Sequence, residues 1–181
     1  MTTRQDAAQR TRTDLLDAGL RLAGSIGLAQ MSVNRIVAEA GVAKGSFFHH
    51  FGDRATYLRA LHRTFHDRVL TSNEHLTAET PPGRDRLWRS TLTYLDACRK
   101  QPGVRALLLE ARAEPAISAE ILLRNDTMAQ LAEPDFEAMG WPHPRDSARL
   151  WVELVAEAAL IEFDSGTTDS DTRAALRHYL R

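Results

Sequence analysis

His66 follows His62 by four residues, a spacing that on a helix brings both imidazoles to one face and could grip a metal ion. Such a site needs at least a third protein ligand, and no Cys, His or carboxylate stands at a spacing that supplies it. The pair therefore reads as solvated, and neither a metal nor another cofactor is expected. His75 and His143 read as surface residues. Cys98 is the only cysteine, so no intrachain disulfide can form; a lone thiol suits a reducing cytoplasm. Neither a nucleophile elbow nor a phosphate-cradling glycine loop occurs in the sequence. The residues that do suggest chemistry lie in Ser32–Arg54, SVNRIVAEAGVAKGSFFHHFGDR. There a hydroxyl at Ser32 can cap a two-turn helix, Val33–Ala40, whose Ile36, Val37 and Ala40 face inward. Ala40-Gly41-Val42-Ala43 forms a tight turn, with glycine suited to a left-handed position. A second short helix, Lys44–Phe51, begins with a charge at Lys44 and small groups at Gly45 and Ser46, and ends in aromatics. A helix that enters the major groove must be slim at its N-terminal end, so the pattern is that of a helix–turn–helix.

This stretch resembles the TetR family of bacterial transcriptional repressors. The match runs through Val33-Asn34-Arg35-Ile36-Val37-Ala38-Glu39-Ala40-Gly41-Val42-Ala43-Lys44-Gly45-Ser46-Phe47-Phe48-His49-His50-Phe51 to Arg54 and Leu58, and back to Leu15, Ala18 and the Gly27 region. It covers roughly residues 10–60, about a third of the chain. The resemblance implies that Lys44 and Ser46 reach base edges or phosphates beside Gly45, and that Ser32 and Arg35 touch the DNA backbone. His49 and His50 would face the groove rim, and Arg54 would meet a phosphate at the start of the fourth helix. The sequence departs from the family in two places. Phe48 stands where tyrosine is usual and has no hydroxyl for a phosphate, although it can pack on sugar or a thymine methyl. Ala43 stands where serine is common, so one cap or phosphate contact is missing.

The elements that must position these residues are all helical. Apolar positions recur at helical spacing over about 11–24, 33–40, 44–51 and 54–78, the last carrying Tyr57, Leu58, Leu61, Phe65, Val69 and Leu76. After Pro81-Pro82-Gly83, helices are expected over about 85–99, from Pro102-Gly103 to near Ala113, and from Pro115 or a Ser118 cap toward Met139. Pro134 should kink or divide the last of these. A strongly apolar helix follows over about 145–164 and a final one over about 171–180. No stretch alternates as a strand does, so the fold class is all-α: a three-helix headpiece over 1–53 and a helical bundle over 54–181.

From the bundle the resemblance implies two further things. One is a small-molecule pocket, with Trp88, Leu92, Tyr94, Leu95, Leu108, Met128, Trp151 and Val155 as candidate lining. Glu110, Arg112, Arg124 and Glu153 are candidate polar contacts there, with a solvated face as the simpler reading. The other is a homodimer made by the last two large helices through Leu150, Leu154, Ala158, Ile161 and Leu176. Two headpieces one DNA turn apart would then read a near-palindromic double-stranded operator.

Composition permits this and decides little. The chain has 181 residues and net charge −1. Residues 1–54 hold 7 Lys and Arg against 5 Asp and Glu, and the remainder 16 against 19, so any attraction to DNA must come from a local face. No apolar run approaches a membrane span, and the polar start MTTRQDAAQR does not read as a secretory signal. The expectation is a cytoplasmic, ligand-responsive repressor rather than an enzyme. An all-helical enzyme and a helical dimer without DNA are the competing readings.

Overall fold

The computed structural model describes residues 3–77, 80–101 and 103–181, the side chains of 71–77 excepted. Expectations that fall on Ala78, Pro102 and the side chains of His75 and Leu76 lie outside that range. Among the described residues every regular element is helical: α1 Arg4–Ile26, α2 Val33–Ala40, α3 Lys44–Phe51, α4 Arg54–Thr77, α5 Arg84–Arg99, α6 Val104–Leu108, a 3-10 turn Glu110–Ala113, α7 Ser118–Ala138, α8 Pro144–Ser165 and α9 Ser170–Tyr179.

Local chemistry sets most of these boundaries. Thr3 and Asp6 form a reciprocal capping box that starts α1 several residues before the apolar stripe does. Ser32 accepts from the Arg35 amide at 3.3 Å and caps α2. Gly41 ends α2 at φ 66° and ψ 30°, a left-handed conformation that costs glycine little, and its amide returns to the Val37 and Ala38 carbonyls. Asp53 caps α4 through the Thr56 amide at 2.6 Å, and those hydrogen bonds hold its carboxyl below the usual range.

Three boundaries differ from the sequence expectation. The helix after Gly103 breaks at Leu109 into α6 and the 3-10 turn rather than running through to Ala113. Ser118 does not cap α7; Ile117 occupies the cap position, without a side-chain bond. Pro134 does not divide α7, which continues to Ala138.

The headpiece is built on an aromatic cluster. Phe47 and Tyr57 are fully buried, with ring centroids 5.1 Å apart, and Phe51 meets Tyr57 at 4.9 Å. Leu15, Leu28, Met31, Ile36, Leu58 and Leu61 close around them. Each such side chain contributes about 1.5–3 kcal/mol by leaving water. The first turns of α4 thus belong to the headpiece core while its later turns enter the bundle. In the bundle α7 and α8 pack side by side, α5 lies against α4 and α8, and α6 bridges α1 and α8.

Candidate nucleic-acid interface and bundle cavity

The α2–α3 unit buries one face and leaves the other open. Ile36, Phe47 and Phe51 anchor it to the core. On the outer side Ser32, Arg35, Lys44, Gly45, Phe48 and His49 are exposed, while Ser46 and His50 are half-buried. Phe48 is 46% exposed although its ring edge meets Phe47, so a large apolar side chain points to solvent beside Lys44. Ala43 caps α3 without a side-chain bond. A side chain at Gly45 would meet nothing within 4 Å, so the slim end of α3 faces open space. The Arg12 guanidinium lies over Phe51 at 5.3 Å. Partial burial, His49 and Arg12 hold the His50 imidazole below its usual pKa.

Arg54 is placed differently from the other eight candidates. Its Nε donates to the Met31 carbonyl at 2.9 Å and one terminal nitrogen to the Leu28 carbonyl at 2.8 Å. The other terminal nitrogen pairs with Glu114 at 3.1 Å. Glu110, at the start of the 3-10 turn that Glu114 follows, accepts from the Leu28 amide at 2.9 Å. Arg54 therefore ties the α1–α2 loop to α4 and to the bundle, and most of its donors are already taken. Sequence could not reveal this, because the partners are backbone carbonyls more than 20 residues away.

Between α4, α5, α7 and α8 the bundle holds a half-open cavity of about 640 Å³, within the range of small-molecule sites. Of the eight residues expected to line it, Tyr94, Met128, Trp151 and Val155 do. Leu95 and Leu108 are core residues away from it, Leu92 is half-buried elsewhere, and Trp88 instead lies under the Arg177 guanidinium at 5.9 Å. On α5 the expected Tyr94 lines the cavity together with Leu87 and Thr91, while Trp88, Leu92 and Leu95 follow the same spacing one residue on, rotated by about 100°. Of the polar candidates Arg124 reaches the cavity; Arg112 and Glu153 pair with each other at 2.6 Å on the surface.

The solvated reading of His62 and His66 is overturned. They are 1% and 3% exposed, face the cavity, and bring their Nε2 atoms to 3.2 Å. Their positions interleave with Leu58, Leu61, Phe65 and Val69, so they fall on the apolar stripe of α4; that was the signal available in the sequence. Among the described residues no cluster of three potential metal ligands occurs. Burial and the nearby Arg124 guanidinium push the His62 pKa down to about 4 and that of His66 well below its usual value. Other polar groups also line the cavity. Arg63 holds Glu120 through two bonds of 2.5 and 2.6 Å, and Asp135 accepts from Arg86 at 2.7 Å and from the Gly83 amide at 2.8 Å.

The buried imidazoles make stability depend on pH. In the unfolded chain His62 takes a proton below its ordinary value of about 6.5, whereas the folded one resists until about 4. Stability is therefore full above about pH 6.5 and falls as pH drops toward 4. His62 alone should remove about 2 kcal/mol between about pH 7.5 and pH 5. Urea unfolding at both pH values should show a smaller loss in His62→Gln than in the wild type; equal losses would show that the imidazole is accessible to protons.

Of the expected dimer residues, Leu150, Leu154 and Ile161 are 68%, 39% and 40% exposed along one stripe of α8. Ala158 and Leu176 are not on the surface, at 2% and 4% exposed. On a helix Ala158 sits about 80° from Leu150, and Glu157 rather than Ala158 completes the exposed row.

Comparison with known proteins places this geometry. Residues 15–61, from α1 into α4, match the family described as bacterial regulatory proteins, tetR family. An HTH-type transcriptional repressor of Mycobacterium tuberculosis is 26% identical over 182 aligned positions, which cover 95% of this chain and 92% of the relative. A TetR-family regulator from Rhodococcus sp. superposes with a TM-score of 0.76 at 20% identity, covering 94% of this chain and 98% of that one. The reduced form of Escherichia coli NemR superposes at 0.71 with 22% identity, covering 94% and 96% of the two chains. These structural likenesses share the fold, a helix–turn–helix at the N-terminus followed by a helical bundle.

Proposed function

The chain belongs to the TetR family of bacterial regulatory proteins, and we propose that it is a repressor whose α2–α3 face binds a near-palindromic operator until a small molecule occupies the bundle cavity. The observation that carries this reading is the exposed set Ser32, Arg35, Lys44, Gly45, Phe48 and His49 on a helix–turn–helix locked from behind by Phe47, Phe51 and Tyr57. Ser46 and His50 border that set. Lys44 meets phosphate or a base edge, and Phe48 packs on sugar or a thymine methyl in place of a hydroxyl contact. Arg54 acts as a positioning residue.

The protein works as a cytoplasmic homodimer, and it is a regulator rather than an enzyme. No helix of the described residues is long and apolar enough to cross a membrane. Leu150, Leu154 and Ile161 supply the dimer face. The division at residue 53 marks the end of the DNA-reading unit, and α4 carries the signal across it. Its first residue, Arg54, grips the headpiece loop, and His62, Arg63 and His66 lie on the cavity wall two to three turns later. Ligand and DNA then compete through two arrangements of the dimer, with a reciprocal coupling of about 1–3 kcal/mol.

A gel shift on duplex DNA from upstream of the protein's own coding sequence tests this. Wild-type binding should be selective and weaken with salt. Lys44→Ala should weaken it by about tenfold and flatten the salt slope by about one, with unfolding by urea unchanged. Undiminished binding by Lys44→Ala and by Ser46→Ala would remove α3 from the interface.

A further inference from the structure

Four buried side-chain atoms lack a hydrogen-bond partner among the described residues: His62 Nδ1, Arg86 NH2, Tyr94 Oη and Arg124 Nε. All four residues line the one cavity between α4, α5, α7 and α8. Buried polar atoms are normally satisfied, so four unpartnered polar atoms around one cavity point to a site for a polar ligand.

The network fixes which way their hydrogens point. Arg124 can only donate, so its bond to His66 Nδ1 at 3.3 Å makes that nitrogen an acceptor. A neutral His66 then carries its proton on Nε2 and donates to His62 Nε2 at 3.2 Å. That leaves His62 protonated at Nδ1, the orphan atom. Arg86 and Arg124 are donors by nature, so three of the four orphans are donors, and the Tyr94 hydroxyl, beside the Cys98 thiol and the Arg124 guanidinium, can turn to donate as a fourth.

The lining acceptors are largely spoken for. Both Glu120 oxygens go to Arg63, and Asp135 serves Arg86 and Gly83. Thr91 Oγ1 takes the Trp151 indole N–H at 3.2 Å, and the third lining carboxylate, Asp67, is exposed. Of these lining guanidinium groups, Arg63 and Arg86 are salt-bridged, while Arg124 meets His66 and Asn125 and has no carboxylate partner among the described residues. Arg86 and Tyr94 stand eight residues apart on α5, about 12 Å along its axis. Trp151 and Val155 supply apolar wall to the same cavity.

We propose that the cavity takes an organic acid: a carboxylate received by Arg124, His62 and Tyr94, with an apolar body against Trp151 and Val155. The span to Arg86 leaves room for a second acceptor at the far end. This rests on the reading of the cavity as the effector site, and ligand binding is measured without DNA so that the two can fail separately.

Thermal shift and calorimetry on the full-length protein compare two matched series: decanoate, decanedioate, decanol and decylamine, and 2-naphthoate with its alcohol and amine counterparts. The acids should bind below about 1 mM and the alcohols and amines at least tenfold more weakly. Arg124→Gln should weaken the acids by tenfold or more, with partial rescue in Arg124→Lys. Tyr94→Phe should weaken them by about tenfold while changing the unfolding equilibrium of the ligand-free protein by less than about fivefold, about 1 kcal/mol, because the hydroxyl has no close hydrogen bond to lose. Equal or tighter binding of the amines or alcohols, or no binding by either acid series, would overturn the proposal. Acids that bind while leaving the wild-type DNA complex untouched would support the ligand class and overturn the effector role.

Discussion

Arg173→Ala is expected to destabilise the protein by about 3–5 kcal/mol, the typical effect of stripping one partner from a buried ion pair. Glu162, on α8, is 1% exposed. Arg173, on α9, grips both its oxygens, at 2.6 and 2.9 Å, and reaches Asp96 on α5 at 2.7 Å. Without the guanidinium, the Glu162 carboxylate keeps the Asp169 amide at 3.2 Å and little else to offset its lost hydration. Arg173 is also a polar link from α9 to both α8 and α5, so its loss weakens the docking that Leu176 and the Arg177–Trp88 contact share. Urea unfolding measures the cost, and the double variant Glu162→Gln with Arg173→Ala should recover much of it because no buried charge remains. A loss below about 1 kcal/mol would show the cluster to behave as an ordinary surface bridge.

Gly19→Ala should lower stability by about 2–3 kcal/mol, against the helix-propensity gain of about 1 kcal/mol that alanine normally brings. A Cβ at residue 19 would lie 1.9 Å from Tyr57 Oη and 2.9 Å from Leu61 Cδ1. The Tyr57 ring cannot step aside. Its hydroxyl donates to the Leu15 carbonyl at 2.8 Å, and Phe47 and Phe51 pack its faces and edge. Either α1 and α4 separate or the hydroxyl gives up a buried bond, and both disturb the core that fixes α3. Gly45→Ala is the control of opposite sign: its Cβ meets nothing, so the ligand-free protein should gain up to about 1 kcal/mol. Chemical denaturation of both variants, with operator affinity read alongside, separates the two effects.

These contrasts also mark how far the sequence could be read. The α2–α3 turn was legible because a cap at Ser32, a left-handed Gly41 and an inward Phe47 each follow from local chemistry. The intramolecular role of Arg54 is not legible in sequence, because the Leu28 and Met31 carbonyls and the Glu114 carboxylate are brought near only by folding. On α5 Tyr94 lies on the cavity face as expected, whereas Trp88, Leu92 and Leu95 lie one residue round from Leu87, Thr91 and Tyr94. His62 and His66 were set apart from the apolar positions they interleave with, since their type suggested water while their spacing suggested core. On α8 hydrophobicity points to Ala158, whereas helix geometry puts Glu157 on the exposed row with Leu150, Leu154 and Ile161.

Selection from a pool of random duplex DNA with the purified full-length protein asks most directly whether this is a sequence-reading regulator. The expected winner carries two inverted half-sites whose centres lie about one helical turn, or a multiple of it, apart, and its binding weakens as salt rises. A folded wild-type protein that enriches no preferred sequence at low salt would contradict DNA reading by the α2–α3 face.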